Sequence, residues 1–244
     1  TAKGGVDAYT KIKFENIDAV ITAASQVSLA IEPLSTKDGL LQMAIFSSTG
    51  AYSTPNDLTF RVSTKNDVEV STIVDYIKSN DYKKAAVLYI NNDYGEGIKD
   101  VFTQKLSESS NIKVVAEEGY LLDTKDFRTQ LQKIRAGEPD IIFLVGTAAH
   151  LVNILTQSSE LKINTQFIST RAVEDPVILK GNSDGIIYSY PFDETKYGKE
   201  FANNFRNKYQ SEPDAYAAEG YEAIMLVSNS FDKCGKDYTC IQSY

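Results

Sequence analysis

The chain alternates between short continuous apolar runs and longer stretches in which apolar residues recur every three or four positions. The clearest run is Ala85-Ala86-Val87-Leu88-Tyr89-Ile90. It is too short for a helix and lacks polar alternation, which is the pattern of a strand covered on both faces. A helical pattern follows over 95–109, with Ile98, Val101, Phe102 and Leu106 on one side. Residues 112–118 then read as a strand, and 126–136 as a helix with Phe127, Leu131 and Ile134 inward and Gly137 at its end. A second buried strand over 140–145 precedes a helix over 150–161 carrying Leu151, Ile154 and Leu155. Short strands over 166–169 and 186–190 complete this part.

The flanking regions repeat the theme. A strand over 17–21 leads to a helix over 25–37, capped by Ser25, bent at Pro33 and stopped by Gly39. Strands over 41–46 and 59–62 follow, then a helix over 67–80 with Val70, Ile73, Val74 and Ile77 at helical spacing. Near the end, 196–209 and 214–233 read as helices. In the first, Phe201, Phe205 and Tyr209 form an inward core stripe rather than a cofactor box. Strands of five to seven apolar residues separated by amphipathic helices predict an α/β fold, with parallel sheets in the middle and helices outside.

A length of 244 residues fits one large domain or two small ones. Composition narrows the function classes. Asp+Glu exceed Lys+Arg by 33 to 25, for a net charge of −8, which argues against nucleic acid or anionic lipid as a partner. No apolar run reaches transmembrane length, so no direct membrane insertion of this segment is expected. The single histidine, His150, excludes multi-histidine metal sites. It lies in the first turn of a predicted helix and reads as a partly solvated surface residue rather than a catalytic base. Cys234 and Cys240, with Gly235 and Asp237 between them, suit a short disulfide-closed loop, with two free thiols as the alternative. No phosphate-binding glycine loop and no nucleophile–base pair is present, so neither an enzyme nor a cofactor is expected. The acidic pairs Glu117-Glu118, Glu174-Asp175 and Asp193-Glu194 read as strand or solvated loop positions rather than acid–base machinery.

In open parallel sheets, ligands bind beyond the carboxyl ends of the strands. That rule selects 22–26, 46–52, 91–95, 146–148, 169–172 and 190–192. These loops hold hydroxyls (Ser25, Ser47, Ser48, Thr49, Thr147, Ser169, Thr170), aromatics (Tyr94, Tyr190, Phe192) and one cation, Arg171. Hydroxyls and amides near helix N-termini suit a small anionic group such as a carboxylate, although such residues also serve as simple helix caps.

Five segments carry a resemblance over nearly the whole chain: 14–21 followed by Ser25, Phe46-Ser47-Ser48-Thr49, 89–97 with Asp93-Tyr94-Gly95-Glu96-Gly97, Asp126-Phe127, and 214–221. In order and spacing the chain resembles the type I periplasmic substrate-binding proteins of the branched-chain amino acid (Leu/Ile/Val-binding) group, which deliver ligands to ABC transporters. The resemblance implies two Rossmann-like lobes that close on a small molecule by a hinge motion, a permease partner, and a periplasmic or extracellular location. The lobes would be 1–62 plus 191–244 and 63–190. The family begins with further elements before the helix in which this chain starts and continues past its last helix. The first lobe is therefore expected to be incomplete, with exposed strand edges and apolar surface that could recruit another chain.

Carried over by position, Ser25 matches the family's serine at the helix N-terminus, with the loop before it one residue short, Ser48 and Thr49 match the loop that holds the ligand carboxylate, and Tyr94 matches the aromatic that covers the ligand. Thr147 stands where relatives often have tyrosine, Tyr190 lies at the hinge, and Tyr216 falls where an aromatic lines the side-chain pocket. Arg171 is the main departure, since amino-acid-binding relatives carry an acid there to pair with the ligand ammonium. An arginine would repel that ammonium and attract an anion, unless it points to solvent or pairs with Glu174, Asp175 or another acid. The expected ligand is thus a small polar or carboxylate-bearing molecule rather than a simple α-amino acid. A conventional amino-acid-binding protein and the sensing domain of a membrane receptor are the alternatives.

Overall fold

The computed structural model describes residues 1–53, 57–108, 111–179, 184–190 and 198–244. The expected helix start at 196, Phe192 and the Asp193-Glu194 pair lie outside them. The chain divides into two compact units, Thr1–Lys65 with Phe192–Tyr244, and Asn66–Pro191.

The Asn66–Pro191 unit is a five-stranded parallel sheet. Its strands are β4 (Lys84–Ile90), β5 (Lys113–Tyr120), β6 (Ile141–Val145), β7 (Gln166–Ser169) and β8 (Ile187–Tyr188), in the order β5-β4-β6-β7-β8. The two continuous apolar runs are the inner strands β4 and β6, because only a strand covered on both faces has no use for polar alternation. Ala85, Val87, Ile141, Phe143 and Val145 meet α3 (Asn66–Ser79) and α4 (Asp93–Ser107) through Val70, Ile73, Val74, Ile77, Ile98, Phe102 and Leu106. Ala86, Leu88, Ile90, Ile142 and Leu144 form the opposite core with Leu131 and Ile134 of α5 (Arg128–Ala136) and Leu151, Ile154 and Leu155 of α6 (Ala148–Glu160). Each large side chain so buried contributes about 1.5–3 kcal/mol of transfer free energy. A short 3₁₀ turn, Arg171–Glu174, and α7 (Pro176–Leu179) follow β7.

The other unit has a three-stranded parallel sheet, β1 (Ala19–Ala23), β2 (Leu41–Ile45) and β3 (Thr59–Arg61), in that order. On one face α1 (Ala2–Ile12) and α2 (Ser25–Asp38) cover Val20 through Tyr9 and Ile31. The same face holds a closed polar network. Gln42 Nε2 donates to Thr22 Oγ1 (3.1 Å) and the Ser28 carbonyl (2.9 Å), and Ser35 Oγ donates to Gln42 Oε1 (2.6 Å). Satisfied in this way, buried polar groups fix the register of α2 on the sheet rather than destabilise it. The helix runs on through Pro33 and ends at Gly39, whose φ of 71° is the left-handed stop expected of glycine. On the opposite face, Leu41 and Met43 pack against Ala223 of α9 (Ala215–Cys234) and Ile241 of α10 (Tyr238–Ser243). A Cys234–Cys240 disulfide fastens α10 to the end of α9, and Asp237 caps α10 by accepting from the Thr239 and Cys240 amides.

One packing expectation is corrected. In α8 (Lys199–Tyr209), Phe201 and Phe205 are only half-buried and Tyr209 is 57% exposed, so the stripe is not core. The rings stack along the helix, Phe201 to Phe205 at 5.8 Å and Phe205 to Tyr209 at 4.7 Å, with Tyr221 of α9 beside Phe201 at 5.1 Å. Helical spacing placed these rings on one face; what lies over that face is a separate matter.

Candidate functional site

In the first unit the candidate residues gather at the carboxyl ends of β1 and β2, which lie side by side with Ala23 opposite Ile45. The chain leaves each strand through a non-glycine residue at positive φ, Ala24 at 74° and Phe46 at 53°, and the Ala24 amide donates to the Ile45 carbonyl (3.2 Å). Such backbone costs on the order of 1–3 kcal/mol and tends to persist where function requires it. Ala24→Gly is therefore expected to raise stability by about 1 kcal/mol, measured as an increased urea midpoint. Ala24 is also the N-cap of α2. Ser25, expected to be the cap, is instead the first helical residue, because a cap needs non-helical backbone and that falls to Ala24.

Ser25, Ser47 and Ser48 are 1%, 0% and 2% exposed, and their hydroxyls have no hydrogen-bond partner. Leaving a hydroxyl buried and unmatched costs about 1–3 kcal/mol, so three at two adjacent strand ends is not a neutral arrangement. Thr49, 6% exposed, caps the turn by accepting from the Ala51 amide (3.4 Å). The loop is held from outside. Arg61 of β3 donates to the carbonyls of Ser47 (3.2 Å), Thr49 and Tyr52. Glu219 of α9 accepts from the Phe46 amide (2.8 Å), and Ser63 Oγ accepts from the Ser47 amide (3.0 Å). Tyr216 meets Phe46 edge-on at 4.7 Å, which places it beside the serines. Tyr52 is fully buried, and its hydroxyl donates to the Gln42 carbonyl (3.2 Å). Burial holds that phenol well above its ordinary pKa, so it stays neutral.

In the second unit the candidates lie at the carboxyl ends of β4, β6, β7 and β8. Tyr94 opens α4 behind Asn92, whose side chain caps the helix by accepting from the Gly95 amide (3.0 Å). The Tyr94 hydroxyl pairs with Thr170 Oγ1 (3.0 Å), linking the β4 and β7 loops. Arg171 is 8% exposed, which removes the solvent-facing alternative, and its amide donates to Glu69 of α3 (3.4 Å). Glu69 also accepts from Ser189 Oγ (2.7 Å), so one buried carboxylate ties the β7 and β8 ends together. Tyr190 is 39% exposed and lies edge-on to Tyr188 at 6.3 Å. Tyr188 donates to Glu174, and that bond together with burial pushes its pKa up to about 12.

Thr147 is exposed and caps α6 in a reciprocal pair with His150. His150 is corrected from a surface residue to a buried one, at 5% exposure. Nε2 lies 2.9 Å from the Leu122 carbonyl, which makes it the protonated nitrogen, and Nδ1 then accepts from Thr147. Its ring packs against Tyr120 at 5.0 Å and Phe127 at 6.3 Å. An imidazole engaged on both nitrogens is a structural cap.

Sequence reasoning named Ser47 among the strand-end hydroxyls without carrying it into the binding set, and it missed Glu219, Arg61 and Ser63. Ser47 sits in a loop that the strand-end rule did select; the other three come from distant elements, and only the fold brings them there. Among the described residues no group of acidic, histidine or cysteine side chains could hold a metal ion, and no helix is long and apolar enough to cross a membrane.

Two α/β units with hydroxyl- and aromatic-rich loops at their strand ends define a class of binding fold. The profile of the family described as "Periplasmic binding protein" matches residues 1–239, and the chain belongs to that family. It is 23% identical over 245 residues to Leu/Ile/Val-binding protein homolog 1 of Brucella abortus, an alignment covering 96% of this chain and 65% of that protein. The chain thus spans just under two thirds of the length of that relative. It is also similar to the structure of the leucine-binding protein LivK of Thermotoga maritima, with TM-score 0.87, 20% identity, and coverage of 100% of this chain and 72% of that one. A solute-binding protein of an ABC transporter from R. palustris, in complex with benzoate, matches with TM-score 0.82 and 18% identity over 99% of this chain and 69% of that one.

Proposed function

We propose that the protein to which this chain belongs is an extracytoplasmic solute-binding protein that captures a small carboxylate-bearing molecule for ABC-type import, with a permease as partner. The observation that carries this reading is the cluster of buried, unpartnered Ser25, Ser47 and Ser48 hydroxyls at adjacent strand ends. Three donors in a dry setting match a carboxylate, which accepts hydrogen bonds on both oxygens. Thr49 and Tyr216 of the same unit are proposed to read the rest of the solute, and Tyr94, Thr147, Arg171 and Tyr190 are the proposed binding residues of the second unit. The structural relatives bracket the chemistry, since leucine and benzoate share a carboxylate and only leucine has an ammonium. The proposed role of Arg171 is to face the solute, where a guanidinium disfavours an ammonium, so the proposed solute is the one without it.

A thermal-shift titration with millimolar L-leucine and benzoate tests this. A ligand at a hundred times its Kd should stabilise the protein by about 2.7 kcal/mol. Stabilisation by benzoate alone supports the proposed specificity, stabilisation by leucine alone refutes the role of Arg171, and no shift with either tells against this ligand class. Ser48→Ala gives a sharper test because its two effects have opposite sign. Affinity for the bound probe should fall at least tenfold, or about 1.4 kcal/mol. Stability without ligand should hold or rise by about 1 kcal/mol, since a polar group buried without a partner is removed. Loss of stability together with unchanged affinity would show that the hydroxyl is structural.

A further inference from the structure

We infer that Glu219 is the positioning residue of the loop that presents Ser47, Ser48 and Thr49. Its carboxylate, on the second turn of α9 and 8% exposed, accepts from the Phe46 amide (2.8 Å) and from Ser63 Oγ (2.8 Å) with the same oxygen. Ser63 Oγ in turn accepts from the Ser47 amide (3.0 Å). One buried carboxylate thus governs two consecutive amides, the first directly and the second through a hydroxyl relay.

The amide it grips belongs to Phe46, the residue held at φ 53° where the chain leaves β2. A phenylalanine does not keep that conformation unaided, and a buried charged acceptor is the strongest partner an amide can have. With Phe46 and Ser47 fixed in this way, the serine hydroxyls remain without partners of their own. Tyr216, three residues earlier on the same helix, packs edge-on against Phe46, so α9 grips the loop through both backbone and ring. Glu219 does not itself touch the solute in this scheme. Its role presupposes that the Ser48–Thr49 loop contacts the solute, as proposed above.

The test compares Glu219→Ala, Glu219→Gln and Ser63→Ala in the full chain, by hydrogen–deuterium exchange of peptides covering 46–52 and by titration with L-leucine and benzoate. Glu219→Ala should speed exchange in 46–52 at least tenfold while β1 and α2 keep their protection, and should weaken the bound probe at least tenfold. Glu219→Gln, which keeps an acceptor oxygen, should restore both to within about threefold of wild type. Ser63→Ala, which spares the Phe46 contact, should fall between. Unchanged exchange in 46–52 for Glu219→Ala would overturn the inference. So would a uniform loss of protection across the unit, or failure of Glu219→Gln to rescue. If neither probe binds the wild-type chain, the proposed ligand class fails, and the exchange data still decide whether Glu219 holds the loop.

Discussion

Phe143→Ala should cost the Asn66–Pro191 unit about 3–5 kcal/mol. Phe143 is the middle residue of β6, fully buried, and is flanked in the sheet by Val87 of β4 and Ile168 of β7. Its ring lies 4.9 Å from that of Phe102 on α4. Truncation removes a central contact between the sheet and the helix layer, and these neighbours are strands and a helix with little freedom to collapse into the space. Against a total stability of 5–15 kcal/mol for a typical domain, this is a large fraction. With no tryptophan in the chain, urea unfolding followed by far-UV circular dichroism is the suitable measurement. The midpoint should fall by roughly 2 M, at a slope of about 2 kcal/mol/M, with the slope unchanged. A loss below about 1 kcal/mol would mean that β6 is not the packed centre of this unit.

That prediction rests on a part of the fold that was legible from sequence, and the reason is physical. A strand buried on both faces has no solvent-facing positions, so 85–90 and 141–145 appear as unbroken apolar runs and their central place in the sheet follows. The stripe on α8 was read by the same kind of logic with a different outcome. Periodicity records which side chains share a helix face, and Phe201, Phe205 and Tyr209 do share one. It does not record what covers the face, which depends on elements elsewhere in the chain. His150 failed for a related reason: a polar residue in a first turn looks solvated until the Leu122 carbonyl and the Tyr120 and Phe127 rings arrive from other segments.

The candidate site divides along the same line. Ser48 and Thr49 in one unit, and Tyr94 and Arg171 in the other, were legible as strand-end positions because a parallel sheet brings the carboxyl ends of its own strands to one edge. Ser25 was found for its place but given the wrong local role, since one residue of offset separates a cap from a first helical position and only the backbone of Ala24 decides it. Glu219 lies 173 residues from Phe46. No local signal reports such a pairing, although Glu219 falls inside the 214–221 segment that carried part of the family resemblance. Both units follow one plan, in which a buried glutamate on a helix, Glu219 in one and Glu69 in the other, organises a loop amide and a serine hydroxyl at the strand ends.

Gly95→Ala should be as damaging as the loss of a core aromatic, although it adds only a methyl group. A Cβ built on Gly95 would sit 1.9 Å from the carbonyl oxygen of Ile90 and 2.8 Å from its Cγ2. The first of these is backbone of the inner strand β4, so it cannot rotate away, and the N-terminus of α4 must lift instead. Tyr94 would move with it, breaking the hydroxyl contact to Thr170, and the Asn92 cap on the Gly95 amide would be displaced. The expected result is a loss of about 3 kcal/mol or more in urea unfolding, beyond ordinary overpacking because the obstacle is main chain. Any probe that binds the wild type should be weakened at least tenfold. Gly220→Ala is the matched control. Gly220 lies inside α9 with nothing within 4 Å of a built Cβ. There the same methyl should stabilise by up to about 1 kcal/mol through helix propensity. Opposite signs for the two substitutions would establish that close approach of α4 to β4 is the reason for glycine after Tyr94. Equal, small effects would show that α4 can sit further from the strand, and Tyr94 would then lose its fixed position over Thr170.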